Sequence, residues 1–391
     1  MLVTAVVLGM SPWFSATVVA GAMSREWSAA PARGLWLTLG VQFGFVVGSL
    51  ISATLLLSDR LRPRRLAAWS AALAAVATAL LVVPGVGPRT AILLRIVVGG
   101  ALAGVYPPGI KIAAGWTRDR RGLAIAALVA GTTLGSATPH LLRLSLPSDA
   151  WRGLQLLAAV CAAVAALLFA ARVQEGPFQA PSAPFDSRAL RQVARNRGVV
   201  LATGGYLGHM WELYAMWSSI GLFWAFVVAE RGLGTWVGPA SAFATVSAGA
   251  AGCLWAGWAA DRMGRSVVTI IAMAVSGACS VLIGLALHAP FGLLLFLGLL
   301  WGASIVADSA QFSAAVTEFA HHDYVGTAVT VQTALGFLLT MVTIVLVPSW
   351  VEAWGWKYAY MPLAIGPALG IVAMTRLRTM ERARRTGADA G

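Results

Sequence analysis

Residues 255–265 read Trp255-Ala256-Gly257-Trp258-Ala259-Ala260-Asp261-Arg262-Met263-Gly264-Arg265, and their reading decides the fold. A long apolar run ends at Asp261, a charged turn follows through Arg262, Gly264 and Arg265, and a second apolar run starts at Ser266. The same event occurs 202 residues earlier, where an apolar run ends in Ser58-Asp59-Arg60-Leu61-Arg62-Pro63-Arg64-Arg65. Asp59-Arg60 and Asp261-Arg262 thus hold the same place in two halves of one chain. A repeat near half the chain length points to a duplicated membrane bundle; solenoids repeat at shorter periods.

Composition agrees. The 391 residues are 59% hydrophobic and only 11% charged, against about 25% charged in soluble chains. A net charge of +13 would suit nucleic acid if the basic residues clustered with aromatics, but here they punctuate apolar runs, so no nucleic-acid partner is expected. Cys161, Cys253 and Cys279 lie inside apolar runs without metal spacing and read as small buried hydrophobes.

Gly257-x-x-x-Asp261-Arg262-x-Gly264-Arg265 resembles the loop signature of the major facilitator superfamily, found between the second and third helices of each six-helix half. The first copy departs from it, with Leu55 and Arg62 where the glycines would stand. The resemblance implies an all-α integral membrane protein of twelve transmembrane helices in two pseudo-symmetric six-helix bundles. It also implies that Asp59, Arg60, Gly257, Asp261, Arg262, Gly264 and Arg265 form conformational gating loops.

A spanning helix needs about 20 mostly apolar residues. Twelve runs qualify, at 2–23, 34–57, 66–86, 89–116, 122–145, 151–172, 198–229, 236–260, 266–288, 290–316, 324–350 and 355–377. The expected domains are a bundle over 1–172, a linker over 173–197, a second bundle over 198–377 and a basic tail over 378–391. The linker begins Pro-rich, and from Asp186 it spaces Arg188, Arg191 and Arg195 like one face of a surface helix. The first run lacks a basic leader and a cleavage site, so it reads as a span rather than a signal peptide. It begins almost at Met1, compatible with a few cytoplasmic residues missing from this start.

The even-numbered connections and the tail hold 19 of the 28 basic residues, the opposite side holds seven, and Arg95 and Lys111 lie within a span. By the positive-inside rule both termini are cytoplasmic, and a multi-pass protein of the bacterial inner membrane is expected. Glycines four apart, Gly40-Gly44-Gly48 and Gly131-Gly135, would let helices approach closely. By the resemblance these helices also slide against the opposite half.

An ionisable group in hydrocarbon is costly, which makes each one a candidate. The fourth span carries Arg95, followed by Gly99, in a pattern that resembles the Arg-x-x-x-Gly of proton-coupled exchangers; Tyr106, Pro107, Pro108 and Lys111 follow. The fifth carries His140. The seventh carries His209, Trp211 and Glu212, the histidine and the glutamate three apart and hence on one helix face. The tenth carries Asp308 and Gln311, and the 202-residue offset sets Asp308 opposite Tyr106. Arg95, Tyr106, Lys111, His140, His209, Trp211, Glu212, Asp308 and Gln311 are the expected substrate and proton pathway.

The chain has no Gly-Lys-Ser/Thr phosphate loop, no catalytic metal spacing and no nucleophile elbow. No enzyme activity, cofactor or metal is expected. The expected function is proton-coupled secondary transport of a small-molecule substrate by alternating access, a small organic or inorganic anion being favoured. The first half loosely resembles nitrate, nitrite and cyanate carriers, but the second and eighth spans lack the arginines with which nitrate carriers hold their anion. The alternatives are proton-exchanging multidrug efflux or, in another class, a non-transporting sensor or membrane-embedded enzyme. Expected partners are the solute, protons and membrane lipid, with the chain a monomer.

Overall fold

The computed structural model describes residues 1–28, 31–117, 121–147, 149–178 and 185–386, and no strand occurs among them. The first expected span is three helices, α1 (Leu2–Met10), α2 (Ser15–Val18) and α3 (Ala20–Glu26). There follow α4 (Pro31–Thr54), the short α5 (Leu57–Arg60) and α6 (Pro63–Leu80). The fourth span divides into α7 (Pro88–Leu102) and α8 (Tyr106–Ala114), after which come α9 (Arg121–Arg143) and α10 (Trp151–Ala171). The linker contributes α11 (Leu190–Arg195), with Val193 turned inward. The second half holds α12 (Arg197–Glu230), α13 (Val237–Met263), α14 (Arg265–Leu285), α15 (Phe291–Ile305), α16 (Ser309–Phe319), α17 (Val325–Trp354) and α18 (Ile365–Thr386).

Among the described residues, nine segments are long and apolar enough to cross a membrane. The three others expected, at 2–23, 66–86 and 355–377, differ for visible reasons. The first is broken at 11–14. The third, α6, starts on Arg64 and Arg65. The last begins ten residues late, after the turn at Gly355, and α18 runs on through Arg376, Arg378 and Arg382. The basic tail expected from 378 is therefore helical as far as Thr386.

Two mid-helix breaks matter most. Pro107 and Pro108 open α8, and because proline has no N–H and cannot extend a preceding helix, α7 stops at Leu102. The break between Ile305 and Ser309 has no proline.

The glycine stripes pack within their own half, contrary to the sliding seam expected of them. A Cβ on Gly44 would overlap the Ile96 carbonyl, and one on Gly99 the Val41 carbonyl, so α4 and α7 meet backbone to backbone. Gly131 and Gly135 lie against Val3, Val7 and Met10 of α1. In the second half, Gly252 and Gly302 bring α13 and α15 equally close, against Ala303 and Thr245. Lipid tails are as apolar as leucine, so such contact, not water exclusion, holds membrane helices together.

The two halves meet along α9–α13 and α4–α17. The first seam is smooth, with Gly257 against Ala126. The second carries rings, Phe45 and Phe337 lying 4.4 Å apart.

At the charged turn, α13 runs through Met263 and a single residue, Gly264, reverses the chain at φ +87° and ψ 151°. In the first copy α4 ends early and Leu56 takes a positive φ, at 51°, while Arg62, at the place of Gly264, has φ −58°. Nothing lies within 4 Å of a Cβ added at Gly264, so Gly264→Ala is expected to cost only the backbone strain of this glycine-only region, about 1–3 kcal/mol. Thermal unfolding in detergent reads it, and an unchanged Tm would refute the strain.

At the opposite end Glu26 accepts from Trp151 Nε1 and Arg152, each at 2.7 Å, clasping α3 to α10. The Arg152 guanidinium first, then the Trp151 indole, holds the Glu26 carboxyl below its ordinary value of 4.5. A depressed carboxyl pKa contributes stability that is present above the unfolded value and lost as pH falls through the folded one. Glu26→Gln should therefore destabilise by less than about 1 kcal/mol at neutral pH, because the pair is solvent-screened. A difference in Tm that persists at low pH instead of closing would contradict this.

Candidate functional site

Where the halves meet, a cavity of about 50 Å³ lies between Trp13, Phe45, Tyr106, Thr133, Tyr206, Tyr214, Trp217, Ser309 and Phe337. At roughly 10–15 Å³ per water it holds only a few molecules. None of its lining residues is Asp, Glu, Lys, Arg or His. Its rings meet at a tilt across the halves: Trp13 lies 5.7 Å from Tyr214 and 5.8 Å from Phe337. Of the residues expected in the pathway, Tyr106 alone lines this cavity.

Arg95 is fully buried but does not face it. Its Nε donates to Leu37 O at 3.3 Å, its Nη1 to Pro12 O at 2.7 Å, and its Nη2 to Trp13 O. The break between α1 and α2 frees backbone carbonyls in the apolar layer, and the five-donor guanidinium fork takes them up. Ser15 Oγ, bonded to Gln155 Oε1 at 2.8 Å, completes the knot. Arg95 is thus a positioning residue, which sets Trp13 at the cavity wall.

The acids stand one residue behind the wall. Met210 and Leu213 line the cavity while His209 and Glu212, their neighbours on α12, are buried away from it. Glu212 accepts from Trp301 Nε1 at 2.6 Å and from Ser276 Oγ at 2.9 Å. His209 Nδ1 lies 2.8 Å from Asp308 Oδ1, an ion-pair distance without a hydrogen-bond angle, and its Nε2 has no partner. The helix-face pairing expected of His209 with Glu212 is therefore replaced by two separate pairs, each made across helices. Asp308 sits at the α15–α16 break, next to the cavity residue Ser309.

The remaining candidates lie elsewhere. Lys111 donates to Ser58 O at 3.1 Å and pairs with Asp59, inside the first half. Gln311 accepts from Arg265 at 3.0 Å, not from a group beside Asp308. Trp211 turns away and donates to Pro362 O at 3.1 Å. His140 packs on Gly221, where a Cβ would come within 2.8 Å of the imidazole, and lines a separate cavity of about 430 Å³ with Arg143 and Trp217. The one group of metal-type ligands among the described residues, His321, His322 and Asp323, is exposed and internally paired at 3.1 and 2.7 Å.

A sequence model of the Major Facilitator Superfamily matches residues 1–254. The chain belongs to the major facilitator superfamily. A solved structure of the facilitator proton:xylose symporter XylE bound to 6-bromo-6-deoxy-D-glucose is similar in fold, with a TM-score of 0.72 at 14% identity, covering 96% of this chain and 94% of that one. No curated protein matches. The chain is accordingly a multi-pass membrane protein and a secondary transporter, not an enzyme.

The facilitator turns hold the arginine-rich end. Asp261 Oδ1 approaches Gly122, in the first turn of α9, from the opposite half. Arg262 lies 4.0 Å over the Trp258 ring and donates to Trp258 O at 3.3 Å. Arg265 pairs with Glu318 at 2.6 Å. Arg60 is exposed.

Sequence reasoning missed Trp13, Phe45, Tyr214, Trp217 and Phe337, the walls of the site, and Trp301 and Ser276, the partners of Glu212. Aromatics inside apolar runs carry no mark of the face they take.

Replacing Arg95 by Met leaves the Trp13 carbonyl without its donor, while Pro12 O keeps Ser15 and Ser15 Oγ keeps Gln155. At about 1–3 kcal/mol for an unsatisfied buried group, the variant should lose stability on that order, with Arg95→Lys retaining part. Detergent unfolding checks it. Loss of transport at unchanged Tm would instead give Arg95 a direct role in transport.

Proposed function

We propose that this facilitator is a proton-coupled carrier of a small, uncharged, largely apolar organic solute, bound at the aromatic cavity between the halves and exposed alternately on either side. The carrying observation is the division of labour around the cavity: a wall without acidic or basic side chains, with carboxylates buried immediately behind it. The anion favoured on sequence grounds has no cation to meet there. Arg95 is committed to backbone carbonyls and Lys111 to Asp59. Exchange of protons against a drug-like molecule fits this chemistry better.

Glu212 and the His209–Asp308 pair are the proposed proton sites, and Asp59 and Asp261 with their arginines the latches of the arginine-rich end. The arginine distribution supports cytoplasmic termini and a bacterial inner-membrane location. The repeat of Asp59 at Asp261 supports domains over 1–172 and 198–377.

The test is transport in proteoliposomes with an internal pH indicator, across uncharged aromatic solutes, benzoate, nitrate and tetraphenylphosphonium. Uncharged solutes should move with a pH change, and nitrate should not move. Glu212→Gln should lose gradient-driven accumulation yet keep exchange without a gradient, whereas Asp308→Asn removes the partner of His209 and leaves Glu212 intact. Nitrate or benzoate carried in preference would overturn the solute class. Undiminished pH-driven accumulation by Glu212→Gln would remove Glu212 from coupling.

A further inference from the structure

Five tryptophans are buried among the described residues: Trp13, Trp151, Trp217, Trp224 and Trp301. A buried indole N–H ordinarily finds an acceptor. Trp151 donates to Glu26, Trp224 to Thr245 at 3.1 Å, and Trp301 to Glu212. Trp13 Nε1 and Trp217 Nε1 have no partner, and these two are the tryptophans that line the central cavity.

They come from opposite halves, Trp13 from the α1–α2 break and Trp217 from α12. Both are held in place by neighbouring rings, Trp13 by Phe45 at 4.9 Å and Trp217 by Phe14 at 6.1 Å. Leaving a buried donor unmade is costly, and both nitrogens are covered beside the cavity in this structure, so the pair calls for an acceptor that reaches them as the cavity opens. Water can serve when the carrier is empty. A solute that displaces the water must then reproduce its hydrogen bonds or lose affinity.

We propose that Trp13 and Trp217 are the specificity-determining donors of the solute site, and that the solute is an uncharged ring compound with acceptor oxygens that take the two indole N–H groups. The proposal rests on the reading of this cavity as the solute site and narrows its substrate class. Indole donors select against solutes that only donate and against bare hydrocarbons, while the rings around them supply stacking surface. Because the donors belong to different halves, a solute engaging both ties solute binding to the closure of one half on the other.

Coumarin and naphthalene form a matched pair of bicyclic probes, the first with a lactone that accepts and the second without. Binding of each to the purified protein in detergent would be measured by equilibrium dialysis, without a pH gradient. One hydrogen bond contributes about 0.5–1.5 kcal/mol net, or roughly two- to twelvefold in affinity. Trp13→Phe and Trp217→Phe keep a ring and lose the N–H; each should weaken coumarin by that factor and leave naphthalene unchanged. Trp224→Phe, whose N–H is bonded away from the cavity, should alter neither. Equal loss of both probes, no loss of either, or no coumarin binding to the parent overturns the proposal. Continued transport of uncharged solutes by the Trp→Phe variants with unchanged selectivity would overturn this inference alone and leave the carrier reading in place.

Discussion

Hydrocarbon offers no partner to a polar group, and this structure is arranged around meeting that constraint from within. The clearest case is Arg95, whose guanidinium binds the Pro12 and Trp13 carbonyls at the break between α1 and α2, and the Leu37 carbonyl of α4. Without the break the arginine would lose two of its three carbonyl acceptors, and without the arginine the Trp13 carbonyl would lose its donor. The same constraint gives Glu212 an indole and a hydroxyl, and puts His209 beside Asp308. Where it is left unmet among the tryptophans, at Trp13 and Trp217, the groups line the small aromatic cavity between the halves.

The arrangement separates two tasks that a coupled carrier has to combine. Protons need a carboxylate or imidazole, which is costly in an apolar layer; an uncharged solute needs shape, ring surface and a few directed hydrogen bonds. On α12 these lie one residue apart, His209 beside Met210 and Glu212 beside Leu213. Since 3.6 residues make a turn, adjacent residues point about 100° apart, so one helix serves the cavity with one face and the buried acids with another. A small rotation of α12 is felt by both.

Much of the fold was legible because it rests on length and period. Apolar runs of spanning length, the Asp59/Asp261 repeat and the arginine-bearing connections all mark helices and their ends, and the family match agrees with an all-helical membrane fold. The helix breaks at 11–14 and 306–308 were not legible, since an apolar run looks alike whether its helix is continuous or interrupted. Side-chain partners were less legible still. The spacing of His209 and Glu212 places both on one side of a helix, but that side meets several neighbours, and each found a partner on a different one. The glycine stripes were legible as close-packing sites, yet which helix they admit depends on the bundle, and it is α7 and α1, not the facing half. Trp13 and Trp217 could not be told from the other tryptophans until the cavity was seen.

We propose that the halves rock about the smooth α9–α13 seam, opening the cavity at one end as it closes at the other. Spin labels at Leu144 and Leu233 would report one end, and labels at Leu61 and Asp323 the other; all four positions are exposed. Pulsed dipolar distances in nanodiscs, compared at neutral and acidic pH, test the claim directly. The account predicts two populations for each pair, with the distance at one end lengthening as the distance at the other shortens. A single unmoving distance at both ends, or distances that lengthen together, would contradict it.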